Sequence, residues 1–256
     1  MRQGKPTIST IITTKNRAAL LNKCLGSLHG QLAAGDEIVI INNNSTDQTA
    51  AIIKKHQKYL PLRAYHSRLK GYPRLYNLAI SKAKNPLLVF VDDDCVVGKN
   101  FVTAMRQAHR QHPQAVIQGK TLSLPRGNIY AEISAAHVCN WVQNNTIGRN
   151  RLRTIDNKNL VIPKKIMDKF GGFSVEMALG AEDTELGWRV FKAGIPTIYN
   201  PSIIVYHHER TSLLGFLKQR FRIAVSHAIF DQRVKKGDQI KMFNRYTFRS
   251  HWRTLL

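Results

Sequence analysis

The sequence predicts an α/β fold with a mostly parallel sheet flanked by helices. Short β-branched segments alternate with helix-like segments through the first half of the chain, which is typical of βαβ units. The predicted strands are almost uniformly apolar, which indicates that both faces of the sheet are covered. The 256 residues are 43% apolar, enough for one large domain with an appendage.

Each element of the first half follows from its local pattern. Strands are predicted at residues 7–13, 37–41, 62–65 and 86–91, and helices at 18–28, 46–58 and 73–84. The first helix carries Leu21, Leu25 and Leu28 on one face. The second half is less regular, with strands at 159–163, 198 and 203–206 and helices at 164–170 and 182–193. Between residues 121 and 157 the sequence contains no motif that predicts a function.

Polar clusters follow three of the predicted strands, at residues 13–17, 42–47 and 92–94. Ligands of parallel sheets bind beyond the carboxyl ends of the strands. Three polar clusters at one edge therefore predict a polar cleft. The chain lacks GxGxxG and GxxxxGK[ST] loops, so a nucleotide in that cleft would have to be held by a metal and by side chains.

Asp92, Asp93 and Asp94 end an apolar strand in a chain with few acids. Adjacent carboxylates repel each other, and a divalent cation relieves this while gaining oxygen ligands. Asp93 and Asp94 are therefore candidate ligands of Mg²⁺ or Mn²⁺. The alternative is a turn or helix cap.

Two further sites carry candidate chemistry. Glu182 and Asp183 begin a predicted helix, where acids are favoured by the helix dipole, but beside a metal one of them could act as a general base. His207 and His208 follow a predicted strand. Neighbouring side chains of a strand point in opposite directions, so one of the two faces the cleft.

Taken together, the motifs resemble glycosyltransferase family 2, with the GT-A fold and its Rossmann-like sheet. The resemblance covers residues 6–212 and rests on the order and spacing of six segments: 9–17, 40–47 (IINNNSTD), 71–77 (GYPRLYN), 90–94 (FVDDD), 159–173 and 182–189 (EDTELGWR). It implies a donor-binding half at about 1–98, an acceptor half at about 99–209 and a basic helical extension at 210–256.

The resemblance implies roles for individual residues. Asp183 would be the catalytic base, and Asp94, Asp93 and His207 would hold Mn²⁺ or Mg²⁺. The remaining candidates would bind substrate: Thr13, Asn16, Arg17, Asn42, Asn43, Asp47, Arg74, Asp92, Asp93, Asn159 and Glu182. Among them Thr13, Asn42 and Asn43 would contact the base and ribose, and Arg74 the diphosphate. The family usually has Asp where this chain has Asn42, so the identity of the nucleotide base stays open.

The chain carries 39 Lys and Arg against 16 Asp and Glu, a net charge of +23. This predicts an anionic partner: nucleic acid, a membrane face or a phosphorylated substrate. The apolar stripe and basic residues of 212–230 indicate a helix that binds an anionic membrane surface or packs on the domain. Three scattered cysteines and the lack of a long apolar segment favour a cytoplasmic protein, peripheral on the cytosolic membrane face.

The main hypothesis is a metal-dependent inverting glycosyltransferase. It would move a sugar from a nucleoside diphosphate donor, expected to be a UDP-sugar, to a hydroxyl of a cell-surface polysaccharide or lipid-linked glycan. Two alternatives remain: a nucleic-acid-binding protein, disfavoured because no DNA- or RNA-binding module is recognisable, and a sugar-nucleotide-binding protein without catalysis.

Overall fold

The computed structural model describes residues 6–124, 127–148 and 151–237. Its ten strands are β1 (Ile8–Thr14), β2 (Glu37–Asn42), β3 (Leu62–His66), β4 (Leu87–Val91), β5 (Cys95–Val97), β6 (Val116–Leu124), β7 (Thr146–Ile147), β8 (Arg151–Leu152), β9 (Asn159–Pro163) and β10 (Thr197–His208). Its helices are α1 (Ala18–Leu28), α2 (Thr49–His56), α3 (Tyr72–Lys82), α4 (Phe101–Gln111), α5 (Ile129–Asn145), α6 (Lys164–Phe170), α7 (Glu182–Lys192) and α8 (Leu213–Gly237).

The strands form a mixed sheet in the order β3-β2-β1-β4-β9-β6-β10-β8-β7, with β5 paired to β10. Its first half is parallel, as predicted, because β1 pairs in parallel with both β2 and β4. In the second half β9 runs antiparallel between β4 and β6, and its first residue, Asn159, lies opposite Val91. The segment before β9 therefore reaches the edge where β4 ends in the three aspartates.

Hydrophobic clusters cover both faces of the sheet, which confirms that prediction. The side chains of β4 alternate between the two clusters: Leu87, Val89 and Val91 face one, and Leu88 and Phe90 face the other. Helices α1 and α4 pack on the first face, and α3, α6 and α7 pack on the second. With its body fixed on both sides, the sheet presents a rigid polar edge.

Several elements differ from the predicted ones. Helix α4 was not predicted, although it buries Phe101, Val102 and Met105 on one face. Thr46 or Asp47 was predicted to cap helix α2, but the helix begins at Thr49 and its N-cap is Gln48. The Asp47 carboxylate still accepts a hydrogen bond from the Thr49 N–H at 3.0 Å. The two strand-like segments at 198 and 203–206 are one strand, β10, with a register shift between Asn200 and Ile204.

The predicted C-terminal helix is present as α8. Phe230 packs with Met177 and Trp188, so part of this helix belongs to the body of the protein. The rest of the predicted extension, residues 238–256, lies outside the described residues. Within the described part of the chain, no helix combines the length and apolarity needed to cross a bilayer.

Candidate active site

A cavity of about 550 Å³ opens at the carboxyl edge of the sheet. It confirms the polar cleft predicted from the strand ends. Its walls come from the ends of β1, β4 and β10, the start of α7, and the facing sides of α5 and α8. The predicted site residues that line it are Thr13, Arg17, Asn43, Asp92, Asp93, Asp94, Glu182, Asp183 and His207.

The Arg17 guanidinium lies on the aspartate cluster. Its Nη1 donates to Asp93 Oδ1 at 2.8 Å and to Asp94 Oδ2 at 2.5 Å. Burial raises the pKa of Asp93 to about 6. Burial also acts to raise the pKa of Asp94, but the charges of His207 and Arg17 outweigh it and hold that pKa well below its usual range. The positive charge that the sequence required is therefore supplied, in this structure, by protein side chains.

Asp92 has a different set of partners. The Tyr76 hydroxyl donates to Asp92 Oδ1 at 2.9 Å. Burial and the neighbouring Asp94 raise the pKa of Asp92. Tyr76 was not predicted as a site residue, although it lies within the GYPRLYN segment, and it fixes the direction of this carboxylate.

His207, rather than His208, lines the cavity. Its Nε2 lies 3.3 Å from Asp94 Oδ1, and its Nδ1 lies 2.8 Å from Glu209 Oε1. Although burial disfavours the imidazolium, these two carboxylates raise the pKa of His207 to about 10. Asp94, His207 and Glu209 thus form a chain of alternating charge along the cavity wall.

The start of α7 presents the second acidic pair. Ala181 has a φ of 60°, in the left-handed region, and this turn aims Glu182 and Asp183 into the cavity. Asp183 Oδ1 accepts from the Thr184 N–H at 2.6 Å. Burial and Asp156 raise the pKa of Asp183 to about 6, whereas burial and Asp183 raise the pKa of Glu182 to about 8. Asp183 is therefore the carboxylate of this pair that ionises first.

The segment before β9 adds two residues that sequence reasoning missed. Lys158 Nζ lies 2.6 Å from Asp156 Oδ2, and both residues line the cavity. The charges of Asp156, Asp92 and Asp183 raise the pKa of Lys158 against the opposing effect of burial. The positive charge of Lys158 therefore interacts with both acidic clusters, through Asp92 in one and Asp183 in the other. These two residues could have been found in the sequence, because they form an Asp-x-Lys segment directly before the strand predicted at 159–163.

Three predicted substrate contacts lie outside the cavity lining and form hydrogen bonds in the loops after β1 and β2, and two of these bonds join one loop to the other. Asn16 Oδ1 accepts from the Thr46 N–H at 2.7 Å, and Asp47 Oδ2 accepts from the Ala18 N–H at 3.1 Å. Asn42 Oδ1 accepts from the Ser45 N–H at 3.2 Å. These bonds brace the wall that carries Arg17.

Two further candidates also lie outside the cavity lining. Arg74 is exposed and donates to the Lys70 carbonyl at 3.4 Å. Asn159 is fully buried, and its Nδ2 donates to the carbonyls of Lys120 and Ile203 at 3.0 Å each. Asn159 thereby joins β6 to β10 beside the register shift in β10.

The Asn159→Ala variant is expected to lose stability and keep nucleotide affinity. It removes the side-chain donor to the buried Ile203 carbonyl and to the partly buried Lys120 carbonyl, at a cost of about 2 kcal/mol. Urea denaturation would measure the loss, and titration with UDP would test binding. A change of more than about threefold in UDP affinity with unchanged stability would instead support a direct substrate contact.

The residues at Asp94 fit a divalent cation in part. Asp94 Oδ1 is buried without a hydrogen bond and lies beside His207 Nε2. Mn²⁺ accepts such oxygen and nitrogen donors. Among the described residues, however, no three His, Cys, Asp or Glu side chains are grouped to hold a metal ion. The protein thus offers two converging donors, and further ligands would have to come from a bound substrate.

Solved structures share this fold. A mannosyltransferase from Pyrobaculum calidifontis, in complex with GDP-Man and Mn²⁺, superposes with a TM-score of 0.71 at 18% identity, covering 98% of this chain and 70% of that one. Together with the mixed sheet, this confirms the predicted GT-A fold.

This chain spans only part of the length of the curated relatives that it matches. A validoxylamine A glucosyltransferase from Streptomyces hygroscopicus subsp. jinggangensis is 27% identical over 239 residues, which are 80% of this chain and 57% of that protein. A GalNAc(5)-diNAcBac-PP-undecaprenol beta-1,3-glucosyltransferase from Campylobacter jejuni is 28% identical over 136 residues, 50% of this chain and 42% of that protein. The family described as glycosyl transferase family 2 matches residues 9–174, more than half of the chain, and the protein therefore belongs to that family.

Proposed function

We propose that this protein is an inverting glycosyltransferase that moves a sugar from a nucleoside diphosphate donor to an acceptor hydroxyl. One observation carries the proposal: a single cavity joins Asp93 and Asp94 with His207 on one side and Asp183 on another. The first group suits a diphosphate held through a cation, and the second suits proton removal. Family membership and the shared fold support the same assignment.

The pair at the start of α7 supplies the base. Asp183, whose pKa is raised to about 6, is ionised at neutral pH, whereas Glu182, at about 8, holds its proton. When two carboxyl groups differ in this way, the ionised one is the base. Asp183 removes the acceptor proton as the hydroxyl attacks the anomeric carbon from the face opposite the diphosphate, so the configuration inverts. Protonated Glu182 can donate a hydrogen bond to a sugar hydroxyl.

On the donor side, the leaving diphosphate accumulates negative charge. Asp94 and His207 would hold Mn²⁺ or Mg²⁺, with Asp93 nearby, and the ion when bound neutralises charge on the diphosphate. His207 must release its Nε2 proton to serve as a ligand. Arg17 then keeps its bond to Asp93, which preserves a second positive charge at the cluster.

A panel of sugar nucleotides tests the proposal. A ligand that binds the native state raises the melting temperature by mass action. UDP- and GDP-sugars are expected to raise it more with Mn²⁺ than with EDTA, and the stabilising donor should then yield free nucleoside diphosphate when an acceptor is added. The proposal fails if no sugar nucleotide stabilises the protein under either condition.

Lys158 is expected to set the pH dependence of transfer. Its charge lowers the pKa of Asp183, so the Lys158→Met variant should hold a proton on Asp183 to higher pH. The acid limb of the kcat profile should move up by about one pH unit, from about 6 to about 7, which lowers kcat by about twofold at pH 7 and by about tenfold at pH 5. Lys158→Arg keeps the charge and serves as the control. An unmoved limb in the methionine variant would remove Lys158 from this role.

We further propose that the protein lies on an anionic membrane face. Leu213, Leu214, Leu217 and Phe221 of α8 are each more than half exposed, and Lys218 is exposed among them. An apolar row with flanking cations is typical of helices at membrane surfaces. A cytosolic acceptor in a polysaccharide or lipid-linked glycan is consistent with this location.

Point variants test the membrane proposal without removing α8, which packs on the domain. Phe221→Asp should reduce binding to phosphatidylcholine vesicles containing phosphatidylglycerol by about tenfold, because it withdraws an apolar side chain from the bilayer. Tyr59→Asp, which changes another strongly exposed apolar residue, should have no effect. Binding that is equal in all three proteins, or insensitive to salt, would contradict the proposal.

A further inference from the structure

Helix α8 crosses the cavity and contacts both of its walls. The Arg222 guanidinium lies 5.4 Å from the centre of the Tyr72 ring, at the start of α3. Arg220 Nη2 donates to Ser134 Oγ, on α5, at 2.8 Å. Both arginines line the cavity. The helix that sequence analysis treated as an appendage therefore supplies part of the site.

Arg220 is a cation without a matching anion. Within the described part of the chain no carboxylate forms a salt bridge with it, and its Nε is buried without a hydrogen bond. The nearby carboxylate of Glu209 is bound to His207 and Ser123. Gln219 Oε1, also on the cavity lining, is buried and unpartnered. The Arg220 guanidinium also lies 5.0 Å from the centre of the Phe216 ring. Burial lowers the pKa of this guanidinium, and the charge of Glu209 opposes that effect only in part.

The opposite side of the same helical turns is apolar and exposed. Phe221 follows Arg220 directly, is 74% exposed, and continues the row that begins at Leu213. A molecule bound beside Arg220 therefore lies across one helix from an apolar surface. This juxtaposition suits an amphiphile whose anionic group enters the cavity while its apolar part stays outside.

We propose that Arg220, with Ser134, binds a phosphate group of the acceptor, and that the acceptor is a lipid-linked glycan attached through phosphate. This rests on the proposed function and specifies its acceptor. The donor diphosphate has its own partners at Asp93, Asp94 and Arg17. Arg220 instead reaches α5, whose cavity-facing side includes Val138 and Trp141.

Binding of simple amphiphiles tests the site directly. The probes are decyl phosphate and decyl maltoside below their micellar concentrations, and inorganic phosphate, each titrated by calorimetry against the full chain. The wild type should bind decyl phosphate at least about tenfold more tightly than either other probe. Arg220→Gln should lose about tenfold in decyl phosphate affinity, the typical effect of removing a charge-assisted hydrogen bond.

Three comparisons make the outcome decisive. Lys218→Gln removes the same charge from an exposed position on α8 and should bind as the wild type does. Arg220→Lys keeps the charge and should retain part of the affinity, which separates binding from folding. UDP affinity with Mn²⁺ should change less than twofold in Arg220→Gln.

Several results would overturn the inference. Equal losses of UDP and decyl phosphate affinity in Arg220→Gln would assign Arg220 to the donor. Inorganic phosphate binding as tightly as decyl phosphate would remove the lipid part. Unchanged decyl phosphate affinity in Arg220→Gln would show that Arg220 does not bind the phosphate group. A wild type that binds decyl phosphate through Arg220 but no sugar nucleotide would instead refute the proposed transferase function.

Discussion

Replacing Asp183 with asparagine is expected to reduce sugar transfer by about 10³-fold while leaving nucleotide binding intact. A general base typically contributes about 10²- to 10⁴-fold to rate, and the amide cannot take the acceptor proton. The side chain keeps its shape and can still accept from the Thr184 N–H. Single-turnover transfer measures the loss, and titration with the donor measures binding.

The pH profile gives this prediction a second readout. Because Asp183 must be ionised to act, and burial with Asp156 raises its pKa to about 6, kcat should rise as pH increases through about 6. The residual activity of Asp183→Asn should lack that rise. A variant that retains more than about a tenth of wild-type turnover would show that another group is the base.

Glu185→Gln provides a matched control on the same helix. It also removes a carboxylate from the first turn of α7, but Glu185 pairs with Arg189 at 2.7 Å, away from the cavity lining. Its transfer rate should stay within about threefold of wild type. An equal loss in both variants would point to damage of α7 rather than to a missing base.

The sequence predicted the parts of the fold whose pattern is local. Strands β1, β2 and β4 are buried along almost their whole length because both faces are covered, and polar clusters follow these three strands. The edge strand β3 alternates between buried and more exposed residues. Asp92 to Asp94 could be found because three adjacent carboxylates after a buried strand repel each other unless a positive charge lies beside them. A local pattern also predicted that Asp183 lies at the start of a helix.

Other parts depend on pairings that no local pattern records. Strand β9 enters antiparallel between β4 and β6, and only this brings Lys158 beside the carboxylates of two distant segments. The inner face of α8 was hidden for the same reason, since its apolar stripe does not reveal which basic residues turn toward the cavity. Asn16, Asp47 and Asn159 belong to the segments that resemble the family, and in the structure their side chains form hydrogen bonds with backbone groups.

The structure shows where some of the cations behind the net charge of +23 lie. Arg17 pairs with Asp93 and Asp94, and Lys158 pairs with Asp156. Arg220 and Arg222 of α8 line the same cavity. These cations suit phosphorylated substrates, one of the anionic partners that the composition predicted. Nucleic acid is not needed to account for them.

Removing Asp94 is expected to abolish the metal dependence of donor binding. In the wild type, UDP should bind at least about tenfold more tightly with Mn²⁺ than with EDTA, since the ion would join the diphosphate to Asp94 and His207. In Asp94→Ala the affinity with Mn²⁺ should fall to the EDTA value. Arg17 loses one of its two carboxylate partners in this variant, so the affinity in EDTA should be equal to or higher than that of the wild type. A lower UDP affinity with Mn²⁺ together with an equal or higher UDP affinity in EDTA cannot come from unfolding.

Asp168→Ala serves as the control, because it removes an exposed carboxylate that pairs with Lys164 on α6. It should keep the full difference between Mn²⁺ and EDTA. Unchanged Mn²⁺ dependence in Asp94→Ala would place the cation elsewhere. Wild-type UDP affinity that is equal with and without Mn²⁺ would assign the diphosphate to Arg17 and the cavity cations alone, with the aspartates serving to hold Arg17 in place.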